Sequence, residues 1–453
     1  MKKIIKNRTF LIVILCIISC GIGVYAATTY KASDVVYNAS DGTSMNVNEA
    51  LNELYNNMNS GGCSSKVAPP TLGSGMIPVT ISNNGTVKYA DINSNWYNYC
   101  DKLWANAVIL LSGSYKVGDT IPESAIESYF VWIPRFRYKL WNTGTASKGP
   151  HSIEIEFETK NTTPSIGSNN GEWLTHPAFT SFNSNGFWVG KFETGYKEAT
   201  STSTAQVNSN DSSKVIIKPN TYSWRNITVG NIFLTGYNYK RNLDSHMMKN
   251  TEWGAVAYLS HSKYGKDREV NINNNSSYKT GYSALPSTNQ QTYPGTYGDG
   301  SSYNQAYNTE IGYLASTTGN ITGVYDMSGG TWEYVAGYIS GKPGSSGLTA
   351  SNYNSKYFDV YNALSTITSY QYRILGDATG EMSPFKNYLD GDNNSRYHSS
   401  WYASHAYFVD SSLPWFSRGG NFSNGVLAGQ FYFDRHTGAS YGSVGFRLVL
   451  TPR

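Results

Sequence analysis

Charged residues are scarce in this chain of 453 residues, and their signs are nearly balanced. Asp, Glu, Lys and Arg make up only 15% of the residues, and the formal net charge is +4 at pH 7. A nucleic-acid binder concentrates Lys and Arg on one face of its domain. The small net charge therefore argues against a nucleic-acid partner.

Cysteine and histidine are too few and too scattered for the usual metal or redox motifs. Cys16 and Cys20 lie in the N-terminal apolar segment, and no CxxC pair occurs. Cys63 and Cys100 remain as a candidate disulfide in an exported chain, with two unpaired thiols or a link between chains as alternatives. The seven histidines show no metal-ligand spacing, and no GxxxxGK[ST] phosphate loop is found.

Neutral polar and aromatic residues are abundant instead, with 37 Tyr and 44 Gly. This composition is typical of a loop-rich extracellular protein. Residues 1–26 agree, because a basic start precedes an apolar run at 10–25 and a small-residue cleavage pattern at 24–26. The segment is interpreted as a signal peptide or a membrane anchor, with a lipobox-like match at 17–20 as a third reading. We expect an exported protein, extracellular or anchored to the cell surface, with membrane contact only through this segment if it is uncleaved.

Two short regions follow the export segment. Residues 27–62 predict a helical stalk or linker, because apolar residues recur with a helical period over 47–55. Residues 63–118 predict a small N-terminal module with a strand at 85–89 and an aromatic helix at 96–107.

The pattern changes from residue 119 onward, where a larger domain is predicted over 119–453. Residues 129–140 read as a long strand in which Pro134 marks a bulge or an edge, and 187–193 read as another. Residues 247–260 predict a helix capped by Asp244 or Ser245. The polar stretch 266–310 predicts an extended surface loop whose tyrosines pack on a scaffold.

The segment 415–445 has the composition of a ligand-binding face. It opens on Arg418, Gly419 and Gly420, where glycine allows a bend or a close backbone approach, and it leads into an apolar strand at 445–450. Tyr gives large contact area at low entropic cost, and Ser or Asn adapt their hydrogen bonds. The candidate ligand-binding residues are Trp415, Asn421, Phe422, Asn424, Gln430, Tyr432, Asp434, Arg435, His436, Tyr441 and Ser443.

Five blocks resemble, in order, those of the formylglycine-generating-enzyme (sulfatase-modifying-factor) family. Residues 319–335 resemble its GLYDMSGNVWEW block, 418–422 its RGGSW block, and 445–449 its terminal GFR strand. Residues 250–258 are similar to its EAEWEYAAR helix, and 187–193 to an early strand. The resemblance covers about 120–453 and implies an α+β, C-type-lectin-like domain with long loops.

Fold does not settle function, and the oxidase members of this family differ here in their key residues. Their route needs a late pair of redox cysteines, and no cysteine follows Cys100. A related branch holds iron with several histidines, which are not clustered here. Where those relatives place a calcium-ligating Asn, this chain has Gly330, which leaves Glu333 as a single carboxylate candidate for calcium. We therefore expect no enzyme activity and no cofactor, with calcium at Glu333 left open.

The variable proteins of diversity-generating retroelements resemble the chain more closely. Their ligand-binding loops lie between an RGG turn and the last strand, and adenine-directed mutagenesis drives such positions among Asn, Tyr, Ser, Asp, His and Phe. The resemblance implies a receptor-like or adhesin-like bacterial protein with an unknown protein or glycan ligand. An invariant lectin-like surface domain, or a structural phage or envelope component, is the alternative.

Several residues are assigned to the scaffold of that face rather than to ligand contact. Arg447 lies in an apolar strand, where a charge is costly unless it is paired, so we expect a structural salt bridge there. Arg418 has the same expected role, with ligand contact as the alternative. Trp332 and Glu333 are expected in the core, packing and pairing after a glycine turn.

Overall fold

The structure is a computed structural model that describes residues 36–38, 44–46, 67–140, 152–169, 171–200, 205–285, 304–362, 408–425 and 428–453. The chain divides into two compact units, Met1–Ser65 and Lys66–Arg453. In the first unit, β1 (Val36–Asn38) pairs antiparallel with β2 (Ser44–Asn46). The export segment, the predicted stalk helix at 47–55 and Cys63 lie outside the described residues.

The second unit is α+β and consists mostly of sheet. Its first strands are β3 (Met76–Ile81), β4 (Val87–Tyr89), β5 (Asn106–Leu110), β6 (Thr120–Ile121), β7 (Ile126–Pro134), β8 (Phe136–Lys139), β9 (Ile155–Phe157), β10 (Trp173–Thr175), β11 (Gly186–Gly190), β12 (Gly195–Tyr196) and β13 (Val215–Ile216). Its later strands are β14 (His246–Met247), β15 (Tyr282–Ala284), β16 (Asn304–Ala306), β17 (Trp332–Ile339), β18 (Asp359–Tyr361), β19 (Trp415–Gly419), β20 (Gly429–His436), β21 (Val444–Phe446) and β22 (Leu448–Leu450). The helices are α1 (Val229–Tyr239) and α2 (Asn250–Ser260).

Two sheets dominate this unit. The larger has eight strands in the order β14-β22-β11-β7-β5-β3-β4-β6, all paired antiparallel. The smaller has the order β18-β17-β19-β20, with β21 also paired to β17. In it, β18 and β21 run parallel to β17, whereas β19 and β20 are antiparallel to their neighbours.

Helix α2 is buried along its whole length and contacts β7 in the large sheet as well as β17 and β20 in the small one. From Trp253 to Ser260 its residues are mostly apolar or small on all sides, which fits such a position between layers. The helix begins at Asn250 rather than 247, because Glu252 accepts a hydrogen bond from the Lys249 amide at 2.8 Å. The predicted caps are therefore wrong: Asp244 binds Lys356 and Tyr357, and Ser245 bonds to the Gly236 carbonyl.

The structure does not divide at residue 118, which corrects the predicted boundary between a 63–118 module and a 119–453 domain. Strands β3 to β6 continue the sheet that contains β7, and β5 pairs directly with β7. The predicted helix at 96–107 is also wrong. Asn98 caps a single 3-10 turn by accepting the Cys100 amide at 3.0 Å, and Lys102 ends that turn in the left-handed conformation before β5 begins.

Other predictions need adjusted bounds or correction. The 129–140 strand is two strands in different sheets, β7 and β8, and the chain changes sheet at Pro134. The predicted strands at 85–89 and 187–193 are β4 and β11. The 266–310 stretch is not simply surface, because 270–274 are buried and β15 pairs with β16. Helix α1, capped by Thr228, is not predicted from the sequence.

Cys100 is disulfide-bonded, and the other three cysteines lie outside the described residues. Neither described helix is long and apolar enough to cross a bilayer.

The shared sheet makes a direct prediction about truncation. A chain that begins at residue 119 loses three of the eight strands, β3, β4 and β5, and uncovers the backbone edge of β7. We expect it to aggregate or to melt without a cooperative transition, as followed by circular dichroism. A chain that begins at residue 66 is the matched control and should melt cooperatively. Cooperative unfolding of the 119–453 chain would contradict the single-sheet description.

Candidate functional site

The candidate site lies next to a buried ion pair between Arg447 and Glu333. We call this pair, together with the strands β17, β19, β21 and β22 around it, the frame. Arg447, between β21 and β22, binds both carboxylate oxygens of Glu333 on β17, at 3.1 Å through Nε and 2.6 Å through Nη2. Both side chains are at most 1% exposed. Arg447 also donates to the Gly190 carbonyl at 2.8 Å and to the Tyr325 carbonyl at 3.0 Å. The salt bridge predicted for Arg447 is confirmed, and it connects the two main sheets.

The two glycines after Arg418 bend the backbone where side chains have no room. Gly419 has φ +84° and Gly420 has φ +71°, a region that glycine enters without strain. A Cβ on Gly420 would lie 2.9 Å from the Ala428 Cα. Arg418 is buried, lies over the rings of Trp253 and Phe433, and donates to the Gln430 carbonyl at 3.5 Å. It belongs to the scaffold, and ligand contact through its side chain is not supported.

Four of the predicted ligand-binding residues are buried, which corrects their assignment. Trp415, Asn421, Gln430 and Tyr432 are at most 4% exposed. The Trp415 ring stacks on Tyr338 at 4.6 Å and its Nε1 donates to the Pro343 carbonyl. These side chains therefore cannot reach a ligand on the surface.

The reason for this burial is that the first half of β20 is covered on both faces. Gln430 donates to Ser260 Oγ of α2 at 2.8 Å, and its carbonyl accepts the Trp253 indole at 2.7 Å. The Tyr432 hydroxyl accepts the indole N–H of Trp332 at 3.1 Å. Asn421 shapes a turn by accepting from the amide and hydroxyl of Ser423. Because a strand covered on both sides does not alternate, composition alone does not separate these residues from exposed ones.

The second half of β20 and the loop after it are open to solvent and form an aromatic patch. We define this patch by Trp332, Asp434, His436, Tyr441 and Ser443, all half-buried or exposed. The His436 ring lies 5.9 Å from Trp332 and 5.3 Å from Tyr441. Asp434 accepts the Tyr432 hydroxyl at 3.2 Å, and Ser443 accepts the Trp332 amide through its carbonyl. Trp332, predicted as core, is therefore half exposed.

Within the patch, His436 has a shifted pKa. Burial lowers its pKa, and the Asp434 carboxylate opposes part of that shift. The imidazole is then neutral at pH 7 and can both donate and accept a hydrogen bond. Its Nε2 has no hydrogen-bond partner among the described residues.

Phe422 extends the exposed surface toward a second aromatic contact. Its ring centre lies 4.9 Å from that of Tyr278 in a T-shaped arrangement, and the Arg225 guanidinium lies 3.9 Å from the Tyr278 ring centre. Asn424 is half-buried and accepts the Asn421 amide at 2.7 Å. Tyr278 and Arg225 were missed because they are far away in sequence; the only signal was the expectation that tyrosines of 266–310 pack on the scaffold.

The Arg435 side chain lies on the other face of β20 from the aromatic patch. Successive side chains of a strand point to opposite faces, and Arg435 forms an ion pair with Asp410 on the face opposite to Asp434 and His436. Its side chain is 22% exposed. Arg435 therefore lies at the rim of the site.

The calcium candidate Glu333 has both oxygens occupied by Arg447. Burial raises the pKa of Glu333, and the Arg447 guanidinium opposes that shift. Gly330 has φ +68°, and a Cβ there would lie 2.4 Å from Glu193 Oε1, so an Asn does not fit at this turn without movement. Within the described ranges, no group of three or more His, Cys, Asp or Glu is placed to hold a metal ion.

No protein-family model matches the chain, and no curated protein matches it in sequence.

The frame predicts unequal effects for two arginines of this region. Arg447→Met leaves the Glu333 carboxylate buried without a partner, which costs about 3 to 5 kcal/mol. Arg435→Met is the matched control, because its ion pair is partly exposed and contributes about 0 to 1 kcal/mol. Urea unfolding of both variants measures the difference. Equal losses of stability would contradict the role given to Arg447.

A buried carboxyl next to Gln430 predicts a pH dependence. Burial raises the pKa of Glu269 to about 7, although its Oε1 accepts the amides of Gln430 and Val270. Because the folded-state pKa lies above the unfolded one, the folded state keeps a proton that the unfolded state loses, and stability falls as the pH rises from about 4.5 to 7. In Glu269→Gln the decrease in the free energy of unfolding over this pH range should be smaller by about 2 to 3 kcal/mol.

Urea unfolding at pH 5 and pH 7.5 checks this prediction, with the exposed Glu198→Gln as control. A profile for Glu269→Gln that parallels the unsubstituted protein would show that Glu269 is ionised in the folded state throughout this range.

Proposed function

We propose that the chain is an exported, non-catalytic recognition protein whose C-type-lectin-like domain binds a protein or glycan ligand through its exposed C-terminal face. The observation that carries this proposal is the contrast within 415–445. Aromatic, hydroxyl and charged side chains are half-buried or exposed on the second half of β20 and the following loop, directly beside a fully buried ion pair. The +4 net charge and the absence of any cysteine after Cys100 support a ligand other than nucleic acid and a role other than oxidase.

The exposed residues fall into two groups, aromatic residues that provide contact area and polar residues that provide hydrogen bonds. Trp332, Phe422 and Tyr441 offer large, rigid apolar area, and aromatic anchors of this kind dominate the energy of many interfaces. Asn424, Asp434, His436 and Ser443 offer hydrogen bonds that adapt to the ligand. Arg435 adds a charge at the rim, which acts more on association rate and specificity than on affinity.

The proposal includes diversification of this face by a retroelement, now restricted to the open positions. A substitution at an exposed site away from special features changes stability by roughly 0.5 kcal/mol or less. Exchange of Trp415, Gln430 or Tyr432 would instead disturb the core. The positions proposed to vary are Phe422, Asn424, Asp434, Arg435, His436, Tyr441 and Ser443.

Sequencing of the surrounding locus tests diversification. We expect a reverse-transcriptase gene and a near-copy of the 415–445 coding segment that differs from it at adenines, with the differences concentrated at the seven open positions. A locus without either element would remove the diversification claim and leave an invariant surface or phage component as the better reading.

A display library tests whether the face tolerates exchange. The seven open positions are randomised in one library, and a matched control library randomises seven buried positions, including Trp415, Arg418, Gln430 and Tyr432. We expect most clones of the first library to reach the cell surface in folded form and some to bind a chosen protein such as lysozyme after selection. Most clones of the control library should fail to display. Equal display of the two libraries would contradict the proposed division between face and frame.

A further inference from the structure

A second concave site lies away from the C-terminal face. It is a cleft of about 400 Å³, within the usual size range of small-ligand sites. Residues from separate segments meet there, among them Asn84, Glu123, Asn220, Tyr282, Tyr307 and Asn308. None of the residues of the aromatic patch, and neither Phe422 nor Asn424, lines it.

The described part of the cleft wall contains one carboxylate, that of Glu123, and its negative charge is neutralised by a neighbouring lysine. Glu123 lies 3.2 Å from Lys218 Nζ and also accepts the Tyr129 hydroxyl. An anionic ligand would meet this carboxylate, and a cationic one would compete with Lys218. The balance therefore favours an uncharged ligand.

Amide and hydroxyl groups supply both donors and acceptors along the walls. The Tyr282 hydroxyl donates to Asn220 Oδ1 at 2.9 Å, and Asn308 Nδ2 donates to the Asn84 carbonyl at 3.1 Å. In the described part of the chain, Asn220 Nδ2 and Asn308 Oδ1 are not engaged by these bonds. A ligand rich in hydroxyl groups matches such mixed walls, because each hydroxyl both donates and accepts.

A half-buried aromatic ring forms another wall. Tyr307 is held edge-on by Phe192 at 5.5 Å and by Tyr325 at 5.9 Å. A Cβ on Gly85, which has φ +88°, would lie 2.9 Å from the Tyr307 hydroxyl, so the glycine lets its loop approach that hydroxyl closely. A fixed aromatic ring gives an apolar surface for the C–H face of a pyranose.

We propose that this cleft binds a neutral sugar. The hydroxyls of the sugar bond to the amides and to the Glu123 carboxylate, and its apolar face packs toward Tyr307. The site needs no metal ion and no residue of 415–445, so it is independent of the recognition function proposed above.

The test measures binding of the full chain to a panel of neutral sugars at millimolar concentration. Glucose, galactose, mannose, N-acetylglucosamine and their disaccharides are titrated by saturation-transfer NMR in the presence of EDTA. We expect at least one of them to bind. Tyr282→Phe and Glu123→Gln each remove a charged or hydroxyl partner at the cleft and should weaken that binding roughly fivefold to tenfold.

Glu198→Gln is the matched control for Glu123→Gln, since Glu198 forms an exposed ion pair with Lys214 as Glu123 does with Lys218. It should bind as the unsubstituted chain does. Tyr441→Ala, on the aromatic patch, should also leave sugar binding unchanged. Thermal melting verifies that every variant is folded.

Three results would overturn the proposal. These are no binding by any neutral sugar of the panel, binding that both cleft variants retain in full, or binding that Tyr441→Ala abolishes while Tyr282→Phe preserves it. The last result would place the sugar on the C-terminal face and would support the recognition function while removing the cleft site.

Discussion

The buried pair of Arg447 and Glu333 is the constraint on which the arrangement of this domain depends. The Arg447 guanidinium donates to one carboxylate and to two carbonyls. It therefore joins β17 to the end of β11 in the large sheet. A buried ion pair adds little net stability compared with apolar packing, but loss of one partner is costly. Its effect is therefore to fix the relative placement of the two sheets.

That placement divides the C-terminal segment into an inner and an outer part. Strand β19 and the first half of β20 pack between α2 and the neighbouring strands, and Gly419 and Gly420 carry the chain through a turn too narrow for side chains. Beyond residue 433 the same strand emerges, and its side chains become half exposed. We expect exchange of side chains on the outer part to leave the packing of the inner part unchanged, and the proposed variation of this face on a constant fold depends on that separation.

Sequence reasoning succeeded where a local rule decides the outcome. A lone arginine in an apolar strand required a buried acid, and Pro134 indicated an irregularity in the 129–140 strand, although the change of sheet there was not predicted. It failed where tertiary packing decides. The helix predicted at 96–107 is replaced by a capped 3-10 turn, and burial of Gln430 comes from α2, which no local pattern reveals. The cleft around Glu123 combines segments distant in sequence and is visible only in the fold.

Hydrogen–deuterium exchange tests the central claim most directly. The unsubstituted chain is compared with a chain that carries alanine at all seven open positions. A constant frame predicts that amides of β17, β19, β21 and β22 keep the same protection in both, while exchange changes only beyond residue 433 and around residue 422. Loss of protection in those four strands would contradict the account, because it would show that the outer side chains hold the frame together.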